Sequence, residues 1–261
     1  MRSLLIAVLF GTTISSGFAQ GTDTITTDTV SKRKKVRVEI DLGKEKKEKE
    51  KKSDSKFSAG ITLSRIDLGF SRYLDNGSFT LSPDNDFLEF ENWKTHNFGF
   101  EVLQMGYRFN NNFKIYLAAG LDWNHIRLEK NITFQKDQPT LTYTEEATDF
   151  KKNRLSSQYL RVPLSFEFRT NSDERGKKFH FVAGPEVGFL LAGKQKQVSS
   201  EFGKVKTKDD FNFNPFRYGG FVRMGYANVG LYTKYYFNDV FAKNQGPRDF
   251  QNISFGLTFG F

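Results

Sequence analysis

NISFGLTFGF, residues Asn252–Phe261, sets Ile253, Phe255, Leu257, Phe259 and Phe261 on every second position, with Ser254, Gly256, Thr258 and Gly260 between them. A period of two is that of a β-strand whose faces meet different surroundings. Here one face is apolar and aromatic and the other small and polar. The stripe needs something to bury it, and the chain offers no apolar segment after it.

The same alternation recurs upstream. In TLSRIDLGF, Ile66, Leu68 and Phe70 oppose Arg65, Asp67 and Gly69. FKIYLAAGLDW holds Phe113, Ile115, Leu117, Ala119, Leu121 and Trp123 in one register, and YLRVPLSFEF does the same with Leu160, Val162, Leu164, Phe166 and Phe168. FHFVAGPEVGFLLAG, FRYGGFVRMGY and VGLYTKYYF continue the series. Each run has the roughly 9–11 residues that a tilted strand needs to cross a bilayer. The connections alternate long and short, the habit of a transmembrane up-and-down antiparallel β-barrel of about eight strands with both termini in the periplasm. Hydrocarbon is then the solvent that buries the apolar stripes, and closure satisfies every backbone donor and acceptor. A soluble lipocalin-like barrel or a sandwich is the competing reading of the periodicity alone. Two runs are irregular. Phe98, Phe100 and Val102 share one register while Leu103, Met105, Tyr107 and Phe109 take the other, which predicts a bulge. FSAGIT, from Phe57, also changes register before Arg65. Phe109, Phe113, Phe168, Phe179, Tyr226 and Phe261 gather at the periplasmic rim as an aromatic girdle.

The N-terminus supports export. MRSLLIAVLFGTTISSGFAQ has a basic residue, an apolar run and small residues around Phe18, the pattern of a signal peptide cut after about Ala19. The run is far short of the ~20 residues of a spanning helix. Residues 20–56 are Thr-rich and then Lys/Glu-rich, a composition for a largely disordered periplasmic tail. The tail carries +6 of the net charge of +9, since Ser31–Lys56 has twelve basic and six acidic residues. With the charge localised there, nucleic acid is not an expected partner. The chain has no cysteine, so neither a lipoprotein anchor nor a disulfide framework is available. Its 29 Phe in a chain of mean hydropathy −0.55 fit apolar residues spread over alternate positions.

The runs YLRVPLSFEF, FHFVAGPEVGF, NPFRYGGFVRMGYANVGLYTKYYF and ISFGLTFGF, taken together, resemble the outer-membrane β-barrel family common in Bacteroidota, which includes the PorT-like proteins. The likeness spans Ile61–Phe261. It implies the barrel fold and insertion by the barrel-insertion machinery through Phe255, Leu257, Phe259 and Phe261. It carries no catalytic residue. It also implies that DTI at Asp23 and DTV at Asp28 resemble short O-glycosylation acceptors.

Inward parity collects Arg65, Asp67, Asp122, Arg161, Glu167, Glu186, Arg217, Arg223 and Lys234. An eight-stranded barrel is only wide enough for side chains to fill, so these charges are expected to pair as a salt-bridged lumen, with a narrow passive channel as the alternative. A lipid-modifying barrel enzyme needs a nucleophile or base with an orienter. Only His96, His125 and His180 are available, with His125 close in sequence to Asp122, and no Ser-His-Asp spacing stands out. No cofactor or metal site is expected. The expected role is structural or interactive, through external loops at Asp75–Thr95, Lys130–Asn153 and Lys194–Asp210 and through the basic tail. The expected partners are outer-membrane lipid and a periplasmic or surface protein.

Overall fold

A computed structural model describes residues 56–260; the expected signal, the tail before Lys56 and the last position, Phe261, lie outside the described residues. The strands are β1 (Phe57–Asp75), β2 (His96–Arg108), β3 (Phe113–Leu128), β4 (Ile132–Phe134), β5 (Tyr143–Glu145), β6 (Phe150–Arg169), β7 (Phe179–Ser199), β8 (Gly203–Asp209), β9 (Phe216–Tyr226), β10 (Val229–Tyr236) and β11 (Phe250–Phe259). Eight of them, β1, β2, β3, β6, β7, β9, β10 and β11, pair antiparallel with their neighbours in chain order. The ring closes where β11 pairs with β1, from Ile66↔Phe259 to Asp75↔Phe250. The quoted terminal strand therefore lies between β1 and β10, with Leu68, Leu257 and Leu231 in one outward row.

That row belongs to a continuous apolar belt. Leu68 is 46% exposed, Leu117 40%, Phe189 46%, Leu231 61% and Leu257 47%. A soluble protein does not expose an apolar surface that runs around its whole girth, and hydrocarbon is the medium that accepts it. Aromatic rings border the belt on both sides. At the short-turn end, Phe113 stacks on Phe109 and on Phe168, with ring centroids 5.3 and 4.8 Å apart, and Phe179 pairs with Tyr226. At the other end, Phe98 stacks on Trp123 at 5.4 Å and Phe189 meets Phe216 at 5.4 Å. Phe179 to Leu191 spans roughly 30 Å along the normal at about 3.3 Å per residue and ~40° tilt, the thickness of a hydrocarbon core.

Both expected irregularities are present. The β2–β3 register shifts between Glu101 and Leu103, and the β1–β2 register between Ile61 and Arg65. The second shift lets Ile61 face outward, 41% exposed, while Arg65 turns into the lumen at 5%. The β1–β11 ladder begins at Ile66, and the residues of β1 before it extend past the end of β11 along β2.

The long connections sit together at one end and differ from simple polar loops. Lys194–Asp210 is a hairpin in which β7 continues and returns as β8, from Gly193↔Asp209 to Ser199↔Gly203. Alternation persists there, but both faces are largely polar, so the hairpin carries no hydropathy signal and the segment expected as a polar loop is a strand pair. The β3–β6 connection carries the small β4–β5 hairpin. It is pinned to β7 by the Gln195 amide, which donates to Ile132 O at 2.9 Å and accepts from Phe134 N at 2.9 Å.

We predict that Leu117→Arg, between the two aromatic borders, destabilises the barrel in lipid vesicles by about 2–4 kcal/mol. The same change at Phe202, 64% exposed on the β7–β8 turn, leaves the denaturation midpoint in place.

Candidate functional site

The lumen is the chemically distinctive part of the molecule, and it forms because every second side chain of eight tilted strands points at one axis. All nine inward charges named from the sequence are buried there, from Asp67, Asp122, Arg161 and Glu167 at 0% to Arg65 and Arg217 at 5%. They reach across the lumen rather than along one strand. Arg161 Nη1 on β6 donates to Asp67 Oδ2 on β1 at 2.7 Å, and Arg223 Nη2 on β9 reaches the same oxygen at 2.9 Å. On the far side, Arg217 Nη2 and Lys234 Nζ hold the two oxygens of Asp122 at 2.5 and 2.6 Å. Arg217 also lies between the rings of Tyr159 and Tyr236, 3.9 and 4.1 Å from their centroids. The Tyr236 hydroxyl donates to Glu186.

One member was missed in the sequence. Glu101, 1% exposed, accepts from Arg161 Nη2 at 3.2 Å, from Arg223 Nη2 at 3.0 Å, and faces Arg65 at 3.6 Å. It shares the inward parity of Asn97 and Gly99, but the bulge beside it breaks the pattern. With Glu101, the five cations Arg65, Arg161, Arg217, Arg223 and Lys234 face five carboxylates, Asp67, Glu101, Asp122, Glu167 and Glu186. These ten charges cancel, as a low-dielectric cylinder favours, and the further buried cation Lys114, at 8% exposure, bonds Gln104 at 3.1 Å toward the short-turn end. Glu167 stands apart, toward the short-turn end, bonded to Arg169 Nε at 2.7 Å and His180 Nδ1 at 3.1 Å. Glycine makes room for the arginines: a Cβ on Gly188 would lie 2.7 Å from Arg217 Nε, and one on Gly99 3.2 Å from Arg161 Nη1.

Above this polar layer the interior turns apolar. Tyr73, Ile126, Leu155 and Phe250 from the strand ends meet Leu88, Phe134, Phe211, Phe213 and Phe241 from the long connections in one buried cluster. Tyr73 stacks on Phe250 at 5.2 Å and Phe213 on Phe241 at 5.4 Å. The connections thus form a cap with its own core. Between cap and ion pairs lies a cavity of only about 20 Å³, lined by Tyr73, Asn124, Tyr159, Arg217 and Tyr236 among others, which is room for a water or two.

Of the three histidines, His180 pairs with Glu167 inside the barrel, and His125 and His96 meet each other. His125 lies on the outer wall, its Nδ1 2.8 Å from Ser156 Oγ and its ring 4.7 Å from that of His96. Asp122, three residues earlier, points into the lumen and is taken by Arg217 and Lys234. Among the described residues no carboxylate is within hydrogen-bond distance of His125, and no cluster of His, Cys, Asp and Glu has the make-up of a metal site.

The loop residues carry one more polar anchor. Asp75, at the end of β1 beyond the apolar belt, accepts from Ser82 N and Oγ at 2.6 Å each and from Asn85 Nδ2 at 3.0 Å. Burial pushes its pKa up, but these bonds outweigh it and hold the carboxyl below its ordinary value.

A closed antiparallel ring, apolar outside and charged within, defines a transmembrane β-barrel. Residues 18–238 match the model of the outer membrane protein beta-barrel domain. The chain belongs to that family, and the protein resides in the outer membrane. No curated protein matches it. Among solved structures, it is similar to Ail, the attachment invasion locus protein of Yersinia pestis, determined in complex with the heparin analogue sucrose octasulfate. The identity is 16% and the TM-score 0.32, over 78% of this chain and 96% of that one.

Two predictions follow from this geometry. Arg161→Met removes the cation shared by Asp67 and Glu101 and lowers stability by about 3–5 kcal/mol, because buried carboxylates lose a partner; urea unfolding in micelles measures it. A depressed carboxyl contributes stability that is complete above its unfolded pKa of about 3.9 and is lost as pH falls through the folded value. The Asp75 anchor therefore releases Ser82 and Asn85 only in acid, seen as broadening of their amide resonances. Asp75→Asn abolishes that transition.

Proposed function

We propose that this barrel conducts nothing and catalyses nothing, and that it works as a structural and interaction module whose active surface is the capped end. The observation that carries the reading is the filled lumen: ion pairs from opposite walls cross it, and an apolar cluster closes it above. Steady ion flow through such a lumen requires breaking buried pairs, a cost of several kcal/mol for each ion left without its partner.

In this reading the long connections face the exterior and both termini the periplasm. The capped end presents exposed aromatic side chains, with Phe79 at 65% and Phe202 at 64%. A groove of about 150 Å³ beside the β7–β8 turn is lined by Thr133, Glu146, Thr148, Gln197 and Phe202 among others. Aromatic anchors beside polar groups suit a protein partner. The exported tail is the second contact, for an acidic periplasmic partner. The strand sequences support a place among the Bacteroidota barrels that include PorT-like proteins.

Among the described residues, the Ser156–His125 pair is the arrangement that most favours a lipid-modifying enzyme. It lacks a carboxylate on the second ring nitrogen, and the strand amides around it are committed to the β3–β6 ladder, which leaves no donors for an oxyanion. Lipid A mass spectra from cells with the wild type and with His125→Ala are expected to coincide.

The decisive measurement is single-channel recording in planar bilayers. Full-length protein is expected to give no discrete conductance. Stepwise currents that persist at neutral pH overturn the reading. Crosslinked envelopes are expected to yield a partner that is lost in a Phe79→Ser/Phe202→Ser variant.

A further inference from the structure

Cations on the outer wall behave unlike those in the lumen. On the outward face of the β6–β7–β8 sheet, just beyond the apolar belt, register aligns them in rows. Arg154, Lys196 and Lys206 are direct cross-strand neighbours, and Lys194 faces Lys208 in the row nearer the membrane. Lys152 and Lys204 flank Val198 in the row further out. Directly opposed side chains on one face stand about 5 Å apart, and like charges in that position repel. Among the described residues none of these cations has a carboxylate within ion-pair distance, whereas the five cations of the lumen network are all paired or shared. Arg154 Nε is buried without an acceptor. Burial and the charges of Lys204, Arg154 and Lys206 lower the pKa of Lys196, which lies outside the membrane-spanning belt.

The position of the rows selects the occupant. Leu191 and Leu160, 53% and 36% exposed, are the last large apolar residues of the belt on β7 and β6. At about 3.3 Å per residue and ~40° tilt, Lys194 stands about 8 Å beyond Leu191, and the next two rows follow at about 5 Å intervals. A phospholipid headgroup layer is only about 5–8 Å deep and reaches the first row. A headgroup built of phosphorylated sugars is thick enough to span several.

We propose that this face is a binding site for a phosphorylated saccharide lipid of the surrounding leaflet, with its phosphates between the rows of β6, β7 and β8 and its acyl chains on the apolar belt below. The site is independent of any partner of the cap, because it lies on the wall. It also turns a repulsive array into a favourable one: each phosphate supplies the charge that the protein omits, and Arg154 gains the acceptor it lacks.

The test titrates full-length protein in micelles with diphosphorylated lipid A, with the same lipid enzymatically dephosphorylated, with phosphatidylglycerol, and with inositol hexaphosphate, reading bound mass by native mass spectrometry. Diphosphorylated lipid A is expected to bind best, at least tenfold better than its dephosphorylated form, and to weaken as salt rises. Arg154→Gln/Lys196→Gln/Lys206→Gln is expected to lose at least tenfold in affinity. Lys136→Gln/Lys243→Gln, on the cap, is expected to be unchanged. If the triple variant loses its β-sheet circular dichroism, Lys204→Gln/Lys208→Gln on the edge strand β8 reads the same effect without touching the ring. Equal binding of the dephosphorylated lipid, or wild-type affinity in the charge variants, overturns the proposal. Phosphatidylglycerol matching lipid A reduces the face to general anionic contact, and inositol hexaphosphate binding as tightly assigns it to a soluble polyanion; either result also overturns it.

Discussion

A β-sheet in hydrocarbon cannot have a free edge, since each unpaired N–H or C=O there costs several kcal/mol. The β1–β11 seam meets that requirement, and the rest of the structure depends on it. Ten aligned pairs, Ile66↔Phe259 through Asp75↔Phe250, turn a sequence of hairpins into a cylinder. Once the ring is closed, alternation has fixed consequences. Odd positions of the terminal strand meet lipid, even positions meet the axis, and the diameter of eight strands leaves little room for water.

The narrow lumen then dictates its own chemistry. Charges that line it cannot be solvated by bulk water and must be neutralised by one another. They do so across the diameter, Lys234 on β10 with Asp122 on β3, and Arg161 on β6 with Asp67 on β1. Such contacts stiffen the cross-section, because moving one wall breaks pairs on the opposite wall. The apolar cap completes the division of labour: polar matter fills the part surrounded by lipid, and an apolar core holds together the part that reaches into water. This is the reverse of a soluble protein at one level and the usual arrangement at the other.

Much of this was legible in the chain. Parity alone located the nine inward charges, because strand geometry leaves a side chain only two directions. The belt was legible for the same reason, in rows such as Leu160, Val162, Leu164 and Phe166. The bulges at Glu101/Leu103 and Ile61/Arg65 were visible as breaks in phase, yet the first of them concealed Glu101. The cap was not legible. Phe211, Phe213 and Phe241 lie in connections, far in sequence from Tyr73 and Phe87, and only the closed ring brings them together. Ile126 and Leu155 fall just outside the alternating runs 113–123 and 159–168, where an isolated inward apolar residue gives no sign of the cluster it joins. β8 was hidden because a hairpin in water needs no apolar face to keep its alternation, and Lys204, Lys206 and Lys208 gave no hydropathy signal.

The overhang of β1 has a mechanical consequence. Among the described residues, the ladder of residues 58–61 runs to β2, whereas the wall from Ile66 onward pairs with both β2 and β11. Tension applied through the chain ahead of Phe57 is therefore met first by a flap of single-sided pairing, which peels at a lower force than the seam tears. The flap works as a fuse: a load on the N-terminal side is spent on a few ladder bonds to β2 before it reaches the seam that closes the cylinder.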